Sequence, residues 1–245
     1  MFGGMGARNG VTAAMLVQAG WTGVNDVFSG PGNLFQSYAP GVDSGMFVHK
    51  LGEEYEVQKT IIKKWSTGGP IQSPLDAVQL IRERRPFGPD DVRRIDVRVA
   101  TSTVDKIDDS VMPNLSMQQM IAVMLIDGTV SFKAAHDEPR MRDPAVLRQK
   151  AKIKVIAEET LERLLPTRVA IVEVTLNDGS VMTERSDTVR GTPENPMSTE
   201  EVAAKARDLV VPVLGDGQCT RLIEAILALE NVQDLRELRT LLQRA

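Results

Sequence analysis

The sequence predicts an α+β fold, with a block of period-two strands set between segments of helical period. Three observations carry this. Ile95, Val97 and Val99 alternate with Asp96 and Arg98, the pattern of a half-buried strand. Asn177-Asp178-Gly179-Ser180 separates two apolar stretches with residues that favour a tight hairpin. On both sides of this block, apolar residues recur every three or four positions instead of every second one. Strands concentrated in one stretch, with helices before and after them, suit antiparallel strands and segregated helices.

In chain order, residues 5–20 are expected to form a helix, since Ala7, Val11, Ala14 and Met15 share one stripe and Gly20 stands where a helix ends. Gly6, Gly10 and Ala14 recur at intervals of four, a spacing that lets another backbone approach. Residues 23–44, rich in Gly, Asn, Asp and Pro, read as a loop. Ser73-Pro74 is expected to open a helix to Arg85 with Leu75, Val78 and Ile81 on its buried side. After the 95–99 strand, Asn114 or Ser116 caps a helix that Gly128 ends, and that helix is apolar nearly all round, as a central helix must be. Asp143-Pro144 starts a further helix. Ile153 and Val155, then Val169, Ile171, Val172 and Val174, mark two more strands, and Val181 begins the last. Ser198-Thr199-Glu200-Glu201 is a capping box, and leucines from Leu222 to Leu242 carry the helical period to the end.

At 245 residues, with 42% hydrophobic and 25% charged, the chain is long enough for a core without staples and too apolar for global disorder. A net charge of −4 gives no electrostatic reason to expect nucleic acid. The apolar run at residues 120–126 is far too short to span a bilayer, and no secretory signal is visible after Met1. A single cysteine, Cys219, excludes an intramolecular disulfide and a cysteine-based zinc cluster, and its helical setting makes it a small core residue. A cytoplasmic protein without membrane partners is the expectation.

Few motifs carry chemistry. The stretch Gly3-Gly4-Met5-Gly6-Ala7-Arg8-Asn9-Gly10 resembles a phosphate-binding glycine loop, but no strand precedes it and Asn9 fills its third glycine position. Neither His49 nor His136 has a partner at metal-ligand spacing, so no metal is expected. His136 is the only other plausible proton carrier in the central block, against a capping or surface role. The informative stretch is Lys63-Lys64-Trp65-Ser66-Thr67-Gly68-Gly69-Pro70-Ile71-Gln72. Two cations, an aromatic and two glycines can offer ammonium and backbone N–H groups to a carboxylate; an ordinary surface lysine pair is the alternative.

These residues, with Gly4-Met5-Gly6-Ala7-Arg8-Asn9-Gly10, Leu75-Asp76-Ala77, Leu115-Ser116-Met117, Asp143-Pro144 and Gly191-Thr192-Pro193-Glu194-Asn195-Pro196-Met197-Ser198, resemble the MmgE/PrpD family. Its members dehydrate, decarboxylate or epimerise small carboxylic acids without a cofactor. The resemblance implies a helical domain and a smaller α+β lid, often in a dimer, with the active site between them. Residues 1–56 and 191–245 would then belong to the helical domain and 57–190 to the lid. It further implies that the chain corresponds to the C-terminal part of a typical member, so that an N-terminal helical half would complete it.

On this resemblance Lys63 is the catalytic lysine, holding a substrate carboxylate or abstracting a carbon-bound proton, and Trp65 takes the family's aromatic place. Lys64 would reinforce the positive field, Gln72 would hydrogen-bond and shape the pocket, and the N–H groups of Gly68 and Gly69 would reach an oxyanion. Gly68 and Gln72 stand where dehydratases and decarboxylases of the family carry histidines, and neither transfers a proton near neutral pH. Epimerisation, isomerisation or an elimination with Lys63 as base stays open. So does a structural subunit, inactive alone, whose apolar helices await a partner chain.

Overall fold

The structure, a computed structural model, describes residues 2–243. Met1, Arg244 and Ala245, at the ends of the two expected helical segments, lie outside the described residues. The chain divides into two compact units, Met1–Tyr55 and Glu56–Ala245.

The first unit holds α1 (Phe2–Gln18) and α2 (Leu34–Tyr38). Gly20 follows α1 at φ +97°, the left-handed turn expected of a helix-ending glycine. Asn33 caps α2 by accepting the Gln36 N–H at 3.0 Å. Within that unit no described atom lies within 4 Å of where the Cβ atoms of Gly6 and Gly10 would be. Those two glycines sit on a helix whose described residues are all exposed.

The second unit runs α3 (Gly69–Arg84), β1 (Val92–Ala100), α4 (Thr101–Ile107), α5 (Met117–Asp127), α6 (Phe132–Ala135), α7 (Pro144–Lys150), β2 (Ile153–Glu158), α8 (Glu159–Glu162), β3 (Ala170–Leu176), β4 (Val181–Ser186), α9 (Thr199–Leu214) and α10 (Asp216–Leu227). The four strands form one sheet in the order β2-β1-β3-β4. Here the all-antiparallel expectation is corrected. β1 pairs with β3, and β3 with β4, in antiparallel fashion, but β1 and β2 are parallel, with Ile95 opposite Ile153 and Val97 opposite Val155. The cause is the connection: α4 to α7 intervene between the two strands, a crossover that returns the chain in the same direction. The 177–180 hairpin forms as expected, with Gly179 at φ +84° and the Leu176 N–H donated to the Ser180 carbonyl at 2.9 Å.

Local signals place most helices. Ser116 caps α5 and Gly128 ends it at φ +78°. Asp143 caps α7, whose first residue is Pro144. The Ser198–Glu201 capping box opens α9, with both reciprocal bonds made. α3 starts earlier than Ser73-Pro74 implies: Gly68 is its N-cap and Pro70 occupies its first turn, so Pro74 lies inside the helix. Pro74 has no N–H for the Pro70 carbonyl, a local loss. Ile71 and Leu75, both 0% exposed, bury their side chains on either side of it, each contributing about 1.5–3 kcal/mol. The C-terminal leucines 235–242 adopt 3-10 instead of α geometry.

One main core joins distant segments, and a small second cluster of Ala100, Leu161 and Val169 stands apart from it. Trp65, Ile71, Leu75 and Ile81 from the start of the unit meet Ile95 and Val97 of β1, Val172 and Val174 of β3, and Met120, Ile121 and Met124 of α5. α3 packs on β3, β4 and α5, while α5 packs on α7. Residues 117–125 of α5 are all buried, as a helix apolar all round requires. Cys219 is fully buried in α10.

Candidate functional site

The segment before α3 is held at both ends. On one side the Ile62 N–H donates to the Gly191 carbonyl at 2.9 Å. Gly191 stands at φ +98°, and a Cβ there would lie 1.8 Å from the Ile62 carbonyl oxygen, so only glycine lets the two backbones touch. On the other side the Gly68 N–H donates to the Asn114 carbonyl at 2.8 Å. A Cβ on Gly68 would fall 2.5 Å from Leu115 Cδ2.

Between these points α3 supplies the fixings. Gln72, 2% exposed, accepts the Trp65 N–H at 3.1 Å and donates to the Trp65 carbonyl at 2.9 Å and to Thr67 Oγ1 at 2.8 Å. One turn on, Asp76 accepts Trp65 Nε1–H on one oxygen and the Arg190 N–H on the other, both at 2.8 Å. Burial pushes the Asp76 carboxyl above its ordinary value, opposed by those two hydrogen bonds and by the charges of Lys64 and Arg190. Arg190 in turn pairs with Glu201 of the capping box and donates to Asn195 Oδ1 at 2.7 Å. The 190–198 stretch is therefore a built turn that ties the backbone at Ile62 to α3 and α9. Lys205 of α9 adds a hydrogen bond to the Lys63 carbonyl, and its own amine is pushed below its ordinary value by burial and by the Lys63 charge.

This frame separates the two lysines. The chain bends at Lys64, and the two side chains enter different clefts. Lys63 faces a cleft of about 930 Å³, shared with Gly69, Pro70, Gln72, Arg168 and Thr192. Lys64 turns away from it, donates to Gln79 Oε1 at 2.6 Å and lies 4.8 Å from the centre of the Trp65 ring. Its surroundings form a second cleft of about 400 Å³ with Lys205 and Asp208.

Of the residues expected from sequence, the structure thus brings Lys63, Gly69 and Gln72 to one cleft and places Lys64 and Trp65 at another. The Gly68 N–H is already spent on Asn114, whereas the Gly69 N–H has no acceptor among the described residues. Gln72 lines the cleft with an amide engaged in holding the loop. His136 is exposed on a separate surface, its Nδ1 2.8 Å from the Phe132 carbonyl. Among the described residues no group of three or more His, Cys, Asp or Glu could hold a metal, and no helix is long and apolar enough to cross a membrane.

Arg190, Thr192, Lys205, Asp76 and Arg168 were given no role in the sequence reading. Asp76 carried a signal, as an acidic residue beside the apolar stripe of a helix. Arg168 carried none: it is one arginine before a strand, and 105 positions separate it from Lys63 (168 minus 63).

Residues 65–231 match the family model described as the MmgE/PrpD C-terminal domain; Lys63 and Lys64 immediately precede the match. The chain is similar to cis-aconitate decarboxylase of Mus musculus, 25% identical over 256 residues, which cover 98% of this chain and 51% of the relative. It is 26% identical to cis-aconitate decarboxylase of Homo sapiens over 253 residues, 98% of this chain and 52% of that one. The chain spans about half the length of these curated relatives. With more than half of its residues in the family model, this chain belongs to the MmgE/PrpD family, through that family's C-terminal domain.

Proposed function

We propose that this chain is the C-terminal, catalytic portion of a cofactor-independent lyase or isomerase acting on a small di- or tricarboxylic acid. The observation that carries the reading is the Lys63 cleft: a lysine amine with a long hydrogen bond to the Thr67 carbonyl at 3.4 Å, held by a clamped backbone, in a cavity large enough for a small acid. Membership of the family and similarity to decarboxylases of cis-aconitate support it. Lys63 would hold a substrate carboxylate or take a proton from the carbon beside it, and an ammonium close to that carboxylate lowers the cost of the negative charge that develops. The free Gly69 N–H can donate to the same charge. Lys64 acts at a distance through its charge, and Trp65 and Gln72 act by holding the loop. The test is turnover of cis-aconitate, followed by its loss, with and without Lys63→Ala. A fall of about 10²- to 10⁴-fold is expected, and unchanged turnover overturns the assignment.

A second reading is a subunit that is structural by itself and needs a partner carrying the helical half. The observation in its favour is the apolar surface of the first unit, where Val11, Met15, Val17 and Trp21 are 62%, 63%, 64% and 66% exposed. It predicts self-association of the purified chain in sedimentation velocity. A monodisperse monomer that unfolds cooperatively counts against it.

A further inference from the structure

We propose that Arg168 is a second carboxylate anchor, making the Lys63 cleft selective for acids that carry two carboxylates over those that carry one. The inference rests on the reading of Lys63 as a carboxylate ligand and extends it to a residue nothing else assigns.

The argument is one of unbalanced charge. Arg168, exposed on the segment that leads into β3, lines the same cleft as Lys63. Its guanidinium lies over Gly69: a Cβ on that glycine would be 3.3 Å from Arg168 Nε and 3.8 Å from Cζ. A methyl group there would press on Arg168 Nε and shift it by a few tenths of an ångström. Neither Arg168 nor Lys63 forms an ion pair among the described residues. Of the cleft's two acids, Asp187 is taken by Arg185 at 2.7 Å, and Glu194 is outside ion-pair distance of both cations. Lys59, on the rim, pairs with Glu56 at 2.8 Å. Lys63 and Arg168 line one cavity and neither is in an ion pair among the described residues, so a bound dianion would give each cation a partner. The planar fork of the guanidinium suits a carboxylate in two-point contact, whereas the ammonium of Lys63 acts as a point charge.

The experiment is calorimetric titration of the full 245-residue chain with succinate and with butyrate, which share a four-carbon skeleton and differ in one carboxylate. Wild type is expected to bind succinate about tenfold or more tightly than butyrate. Arg168→Ala should erase that difference, and Arg168→Lys, which keeps the charge and loses the fork, should restore only part of it. Lys63→Ala should weaken both probes. Circular dichroism and the denaturation midpoint establish that each variant is folded. If Arg168→Ala leaves the succinate preference intact while Lys63→Ala abolishes binding, the Arg168 anchor is wrong and the Lys63 reading stands. If Lys63→Ala changes neither probe while Arg168→Ala removes the preference, the Lys63 reading fails and the anchor stands. Wild type that does not distinguish succinate from butyrate, or binds neither, overturns the anchor.

Discussion

Gly6 and Gly10 stand four residues apart on α1 with open space where their side chains would be, whereas Gly191 stands alone in a loop and touches the Ile62 backbone. The spaced pair looks more like a motif, yet the isolated glycine is the one the structure depends on. The difference extends to the regions around them. In the first unit the described residues of α1 are all exposed, so apolar side chains there gain nothing from being apolar within that unit. In the second, Trp65, Gln72 and Asp76 are 5%, 2% and 7% exposed, and each polar group among them has a partner. A glycine, a tryptophan or an acid matters here through what it meets and not through its spacing.

The largest effect that this contrast predicts is at Gly191. Gly191→Ala drives a methyl into the Ile62 carbonyl and strains a backbone at φ +98°, so a loss of about 3 kcal/mol or more is expected in urea unfolding. Lys63, one residue from Ile62, should lose its ligand in the same variant. Wild-type stability in Gly191→Ala would break the account of the clamp.

Next comes Asp76→Asn. An asparagine has one acceptor oxygen for two donors, Trp65 Nε1–H and the Arg190 N–H, so one buried donor is left unmet at a cost of roughly 1–3 kcal/mol near neutral pH. The pH dependence has a definite sign. Burial raises the Asp76 pKa above 3.8 in the folded state, so the stability this group contributes is fully present below the unfolded value. It is lost as pH rises through the raised folded value. The Asp76→Asn variant should lack that slope, and urea midpoints over the acid range measure it.

On the other side of the contrast, Gly6→Ala and Gly10→Ala should each stabilise α1 by about 0.5–1 kcal/mol, read as increased helix content by circular dichroism. A loss in either variant would reveal a neighbour pressed against α1 and sharpen the reading of this chain as a partnered subunit. The smallest effect belongs to the hairpin. Bonds from Ser180 and from the Arg85 guanidinium lower the Asp178 pKa from 3.8 to about 2. Its contribution is therefore present above the ordinary carboxylate range and lost as pH falls through about 2. Carboxyl NMR titration of Asp178 should find its midpoint there, and a midpoint at the ordinary value would show that those bonds do not persist.

Legibility followed range. The Ser198–Glu201 box, the Asp143-Pro144 start, the Gly128 stop and the 177–180 turn are each settled by atoms within a few residues, and all four form as read. The start of α3 did not, because burial of Ile71 and Leu75 overrode the boundary suggested by Pro74. At the site, the loop itself was legible from its lysines, tryptophan and glycines. Which lysine faces which cleft was not.

The sequence alone determined the α+β class, the central place of α5 and the positions of the capped helices, because periodicity and capping are properties of neighbouring residues. Tertiary structure decided that β1 and β2 run parallel, that Lys63 and Lys64 diverge, and that Arg168 shares the Lys63 cleft. Each of these joins segments far apart in the chain. They are settled by the free energy of packing one core over 65–176, where no local signal reaches.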